Sequence, residues 1–275
     1  MEQGYKFPVR FFLITFCWSW LLWLPLILAG SGILDLEDDL VKVLYILITV
    51  LAAFGPAIGA IVSLETINGR GASKKFLKTF LDLKFGLKTW LVPAAVLLVS
   101  TMMAWFIPEM LGMKRLSMLL PNAWIFPAYW LFVVFLGGGQ EEIGWRGYIL
   151  AHLEKRFGVI PGSLILSVVW VIWHLPLWLV PGAVQSYMSF GGFMLLTCGY
   201  SFIYSWGLKK AGNKPLAGLM MHGTANAFIP LFPTLSMQPG DSQPRFWIWV
   251  SITFLVGLIF MVLLKKDQAR PSQTA

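Results

Sequence analysis

Apolar runs set the terms for this chain. Eight of them, at roughly 11–29, 40–64, 89–107, 124–150, 159–180, 190–208, 215–235 and 246–264, approach the ~20 residues a helix needs to cross a bilayer. Backbone groups in lipid must be satisfied within the segment, so the runs predict helices. The strict alternation expected of barrel strands is absent. Composition removes the soluble alternative: of 275 residues, 57% are hydrophobic and 12% charged, where soluble domains carry ~25% charged residues. The expected fold class is an all-α integral membrane protein with about eight transmembrane helices. It would form one polytopic domain over residues 1–264, followed by a polar tail at 265–275.

The 21 basic residues are distributed with a bias. With the N-terminus inside, 17 of the 21 fall in inside segments, and only Lys42, Lys114, Arg115 and Arg245 fall outside. The acidic cluster Asp35, Glu37, Asp38 and Asp39 also falls outside. By the positive-inside rule, both termini are then cytoplasmic. The same bias explains the net charge of +8 without nucleic acid. Lys6 and Arg10 precede an apolar run longer than the h-region of a cleaved signal, so a retained first span is expected. Cys17 and Cys198 lie in apolar runs and read as buried, reduced thiols. Several of the 14 tryptophans sit near span ends, as in interfacial aromatic belts.

Between the second and third runs, Lys74, Lys75 and Lys78 alternate with Phe76, Leu77, Phe80 and Leu81 at helical spacing. The segment 73–88 therefore predicts a basic amphipathic helix lying on the cytoplasmic leaflet.

Ionisable side chains inside spans cost at least ~2.5–3.5 kcal/mol at the helix centre, and they mark function by default. Here they are few. Span four carries Glu141, Glu142 and Arg146, span five carries His174, and span seven carries His222 with Asn226. The turn between spans four and five centres near Phe157, so Glu141 and His174 stand at nearly equal offsets from it. In an antiparallel hairpin, equal offsets mean equal depth. His222 and Asn226 share a helix face at i,i+4 spacing. Depth counting leaves His222 shallower than Glu141, so tilt or a broken helix must close the gap. Glu142 and Arg146 can pair at i,i+4, and Glu141, turned ~100° away, is left as the free carboxylate. Gly137, Gly138 and Gly139 loosen this helix, permit close backbone approach, or serve small-residue packing. His152, beside Lys155 and Arg156, reads as interfacial.

These residues carry a resemblance. Glu141 to Arg146, EEIGWR, resembles the E-E-x-x-x-R motif of the CAAX protease and bacteriocin-processing family, which includes type II CAAX prenyl endopeptidases. Trp170 to His174 is similar to its F-x-x-x-H motif, with Trp170 in place of the usual Phe, and His222 to Asn226 to its H-x-x-x-N motif. The match covers about residues 120–235. The resemblance implies an intramembrane endopeptidase acting on a membrane-associated, in some members prenylated, protein or peptide. Glu141 and His174 would activate water, and His222 and Asn226 would stabilise the oxyanion. Glu142, Arg146 and the aromatic wall Trp170 would support them. A metal-free glutamate mechanism is favoured, and zinc held by Glu141, His174 and His222 stays open, although no HExxH is present. The expected location is a prokaryotic plasma membrane, with the site open to the cytoplasm. The lipid bilayer and a membrane-associated substrate are the expected partners, with no nucleic acid. Two other readings use the same residues: a proton-coupled transporter, and a non-catalytic scaffold or immunity protein.

Overall fold

The computed structural model describes residues 7–35, 37–238 and 240–269. It is helical throughout, with no strand among the described residues. Lys6, Arg270 and the rest of the expected polar tail from 270 lie outside the described residues. Residues 265–269 continue the last helix. The elements run α1 (Val9–Gly30), α2 (Asp38–Ala52), α3 (Gly55–Asn68), α4 (Ala72–Lys78), α5 (Leu87–Met110) and α6 (Phe126–Leu136). There follow α7 (Glu142–Gly144), a π-helical turn (Trp145–Ile149), α8 (Leu150–Phe157), α9 (Val159–Trp173), α10 (Phe190–Lys210), α11 (Pro215–Phe228) and α12 (Pro244–Ala269).

Among the described residues, six helical segments are long and apolar enough to cross a membrane: those at 9–30, 39–68, 87–110, 123–157, 159–179 and 244–268. The expected spans 190–208 and 215–235 are α10 and α11, which are not among these six. Their side chains are mostly buried inside the protein, and a helix surrounded by helices needs small and polar residues where others pass closely. α11 also stops at Phe228, short of the expected 235, because Pro230 and Pro233 follow.

Three other spans are interrupted where the sequence supplies a reason. The second breaks between Ala52 and Gly55, just before Pro56, which takes the first turn of α3. α1 satisfies the carbonyls freed there: Ser19 Oγ donates to the Ala52 carbonyl (2.7 Å) and Trp18 Nε1 to that of Leu51 (2.9 Å). Gly55 and Gly59 let α1 and α3 touch, since a Cβ at either would strike Thr15, Ser19 or Phe11. The fourth breaks at Gly137–Gly138, after α6. The fifth turns from α9 into a 3₁₀ segment (Leu175–Leu179) at Pro176, which has no N–H to extend the helix.

Ion pairs gather several turns on one face of the bundle. Lys209 pairs with Glu154 (2.5 Å), Lys210 with Asp267 (2.8 Å) and Lys214 with Asp82 (2.8 Å). On the opposite face Arg245 donates to the carbonyls of Trp105 and Lys114.

Both cysteines are free, but Cys17 lies on an exposed face and Cys198 is half-buried. Trp124 and Trp247, near the starts of their spans, are exposed, while Trp23, Trp145, Trp170, Trp173 and Trp249 are buried inside the protein. Trp145, Trp23 and Trp173 pack ring to ring at 5.1–5.8 Å.

Candidate active site

The break in span four builds the centre of the site. Gly138 adopts φ 122°, a conformation open to glycine. A Cβ there would collide with the Asn226 amide and lie 3.1 Å from His222 Nε2. Gln140 staples the interruption. Its side-chain carbonyl accepts from the Gly138 N–H (2.9 Å), and its amide donates to the Leu136 carbonyl (2.9 Å). The chain then re-enters as a 3₁₀ turn ending at Glu141, followed by α7 and the π turn. Gly144 lets this re-entrant segment lie against the Pro56 carbonyl of α3.

Glu142 is fully buried and multiply bonded. Arg146 Nη1 donates to both of its oxygens (2.6 and 2.7 Å), and His222 Nδ1 sits 3.0 Å from Oε1. The expected i,i+4 pair is therefore present, and it extends to a third residue. Arg146 Nη2 reaches Ser201 Oγ (3.3 Å), and its guanidinium lies over the rings of Tyr204 (4.7 Å) and Trp170 (5.7 Å).

Glu141 points elsewhere, as its 100° offset requires. Its Oε2 accepts from the indole N–H of Trp170 (2.9 Å). The Trp170 carbonyl in turn accepts from His174 Nδ1 (2.8 Å), and its ring meets that of His222 edge-on at 5.0 Å. Trp170 thus connects Glu141, His174 and His222, a larger role than an aromatic wall. His174 sits where α9 ends, flanked by Trp173 and Phe193. Glu141 and His174 retain 6% and 8% exposure, whereas Glu142 retains none.

His222 and Asn226 share one face of α11, as their spacing requires. Asn226 Nδ2 donates to the Gly137 carbonyl (3.1 Å) and lies 3.2 Å from His222 Nε2. Donation to Gly137 fixes the amide's orientation. A His222 that donates through Nδ1 to Glu142 then presents an Nε2 lone pair to Asn226. Asn226 is only half-buried and marks the open side of the cluster.

The depth gap closes from below. Phe80 packs on the cluster of Val134, Leu216 and Leu219 and also abuts Gly147. The foot of α11 is therefore level with Gly147, ten residues before Phe157, and its first two turns bring His222 level with Glu142. α8 extends beyond this level. His152, on α8, is bonded to the Tyr148 carbonyl (3.0 Å) and stays apart from the cluster.

Gln140, Gly144, Ser201 and Tyr204 were not singled out from sequence. Glutamine and serine carry no charge, and only the hydroxyl spacing at 201 and 204 within an apolar run could have flagged α10.

The fold and this cluster define a class: an all-helical membrane protein holding a carboxylate, two imidazoles and an amide together within a bundle of apolar helices. Residues 122–228 match the family described as type II CAAX prenyl endopeptidase Rce1-like. The curated CAAX prenyl protease 2 of Methanococcus maripaludis is 25% identical over 242 residues, covering 82% of this chain and 85% of that protein. Both likenesses support a CAAX-type intramembrane endopeptidase of the CAAX protease and bacteriocin-processing family.

Proposed function

We propose that the cluster hydrolyses a peptide bond of a membrane-anchored protein or peptide, with Glu141 as general base. The observation that carries this reading is the separation of the two adjacent glutamates. Glu142 is consumed by Arg146 and His222, while Glu141 accepts from Trp170 through Oε2, has Trp145 as a second indole neighbour and stays 6% exposed, and we assign its other oxygen to the water. A positioned base of this kind contributes ~10²–10⁴-fold.

In the mechanism we infer, Glu141 takes the proton of a water that attacks the scissile carbonyl, and His174, oriented through Nδ1 by the Trp170 carbonyl, aims Nε2 at the same water. Asn226 gives one amide hydrogen to Gly137 and the second to His222 Nε2 in the resting site; as the oxyanion forms, the second hydrogen turns from His222 to stabilise it. His222 does so when its Nε2 carries a proton, with Glu142 behind Nδ1 to balance the charge. The protonated Glu141 then delivers its proton to the leaving amine.

We propose that this chemistry needs no metal. His222 engages both ring nitrogens and Glu141 gives one oxygen to Trp170. Among the described residues no three His, Cys, Asp or Glu side chains are gathered as a ligand set. Two His and a Glu so engaged do not fit an open zinc site.

We place the site's access on the cytoplasmic side. The positive-inside rule assigns the lysine-bearing face to the cytoplasm; a cavity of about 450 Å³ opens there between α8 and α10 and ends at Arg146, behind Glu142, without reaching Asn226 on the open side of the cluster. The relative's name makes a prenylated peptide the first substrate to try.

The test is cleavage of a lipid-anchored peptide, farnesylated or acylated, by protein reconstituted in nanodiscs, with products read by mass spectrometry. His222→Ala and Asn226→Ala should each lower kcat by ~10²-fold or more. Full rates in both variants contradict the assignment. Loss of activity after exhaustive chelation, restored by zinc, contradicts the metal-free mechanism.

A further inference from the structure

The segment joining α3 to α5 is a built strap, anchored at three points. At its start Glu65 accepts from the backbone N–H groups of Gly71 (2.7 Å) and Ser73 (3.0 Å) and from the Ser73 hydroxyl. In its middle Phe76 and Phe80 pack edge to face (5.5 Å) and press on Gly147 of the π turn, where a Cβ would meet both rings. At its end Lys214, at the foot of α11, pairs with Asp82 and donates to the Lys84 carbonyl. The inner side of the strap therefore touches the π turn, which carries Arg146, and the foot of α11, which carries His222 and Asn226.

The outer side is of a different kind. Lys74, Lys75, Lys78, Lys84 and Lys88 are exposed, and so are Leu77, Leu81, Leu83 and Leu87, the last three at 68–78%. The one acid in this stretch, Asp82, is turned to Lys214. Leucines exposed among unopposed cations suit a bilayer surface, with methyl groups below the headgroup level and ammonium groups at it. The strap also connects two apolar segments long enough to span, 39–68 and 87–110, which sets it at the membrane boundary.

We propose that residues 72–88 form a docking surface for anionic phospholipid headgroups, and that an occupied surface holds the π turn and the foot of α11 together. Its headgroup-binding part stands without the peptidase reading; only the activity arm rests on that reading.

The experiment compares full-length protein in nanodiscs of phosphatidylcholine alone and with 30% phosphatidylglycerol. Thermal unfolding and retained lipid by native mass spectrometry report binding, and peptide cleavage reports coupling. Each lysine near an anionic surface is worth ~1 kcal/mol, about fivefold in affinity. Wild type should therefore retain phosphatidylglycerol selectively, unfold at higher temperature with it, and cleave severalfold faster, with all three effects weakened by 0.5 M salt. Lys74→Gln/Lys75→Gln/Lys78→Gln should lose the selectivity and the acceleration, while the exposed control pair Lys265→Gln/Lys266→Gln keeps both. An undiminished response in the triple variant overturns the proposal, as does a wild type indifferent to phosphatidylglycerol, or glycerol phosphate in solution reproducing the effect. Selective retention without faster cleavage overturns the coupling and leaves the docking surface. No cleavage in any lipid, with retention intact, is a failure of the peptidase reading alone.

Discussion

Trp170 shows how one side chain organises the cluster. It gives its indole N–H to Glu141, its carbonyl to His174 and its edge to His222. Trp170→Phe keeps a ring but removes the donor, and a hydrogen bond to a charged partner is worth ~1.5–3 kcal/mol. The variant should lose about tenfold or more in kcat with little change in KM, in steady-state cleavage assays. An unchanged kcat would mean the bond does not orient the base. The buried pair next to it has another signature. Glu142→Gln leaves Arg146 uncompensated in the interior, and breaking such a pair costs ~3–5 kcal/mol. Adding Arg146→Met should recover much of that stability, read by thermal unfolding, without recovering activity, because His222 has still lost its anchor. Full activity in the double variant would assign Glu142 a purely structural role. Glutamate, histidine and asparagine were all legible here because ions in apolar runs are conspicuous. Trp170's hydrogen bond was not legible, because an indole in a membrane span is ordinarily just apolar bulk.

At the scale of elements, the sequence marked the interruptions more clearly than their consequences. Gly137–Gly138, Gly55–Pro56 and Pro176 all sit where helices break, although only the first stands out in the sequence, where the runs 40–64 and 159–180 read as unbroken. That one of these breaks would aim Gly138 at Asn226, and that Gln140 would bridge it, depends on α11 standing alongside, which no local pattern encodes. Gly138→Ala should abolish cleavage through the Asn226 clash while the purified protein keeps its helical circular dichroism; an active variant would show that the approach has slack. The strap has its own signature. The hydrogen bond from Lys214, with that of the Lys84 amide, holds the Asp82 carboxyl below the usual carboxylate range. A depressed pKa means that the clip's contribution is complete above the ordinary value of ~4 and is lost as pH falls through the lower folded value. Amide exchange over 79–86, corrected for intrinsic rate, should therefore be alike at pH 7 and pH 5. It should rise at pH 7 in Asp82→Asn. Equal protection in the variant would show that Lys214 holds the strap through the Lys84 carbonyl alone.

For the whole molecule, the class was evident from hydrophobicity alone, and the six long apolar segments agree with it. The interior helices α10 and α11 were harder, because a helix enclosed by protein no longer needs an unbroken apolar surface. The arrangement places the polar cluster behind apolar helices, with the paired lysines Lys209, Lys210 and Lys214 on one face and the half-buried Asn226 at the open side. The central proposal is that Glu141, rather than its neighbour, is the base. The most direct measurement is the single-turnover cleavage rate of a membrane-anchored peptide by Glu141→Gln in nanodiscs, with its thermal unfolding matched against wild type. The account predicts a folded protein that binds the peptide and cleaves it at least ~10²-fold more slowly. A folded Glu141→Gln variant that cleaves at the wild-type rate would contradict it.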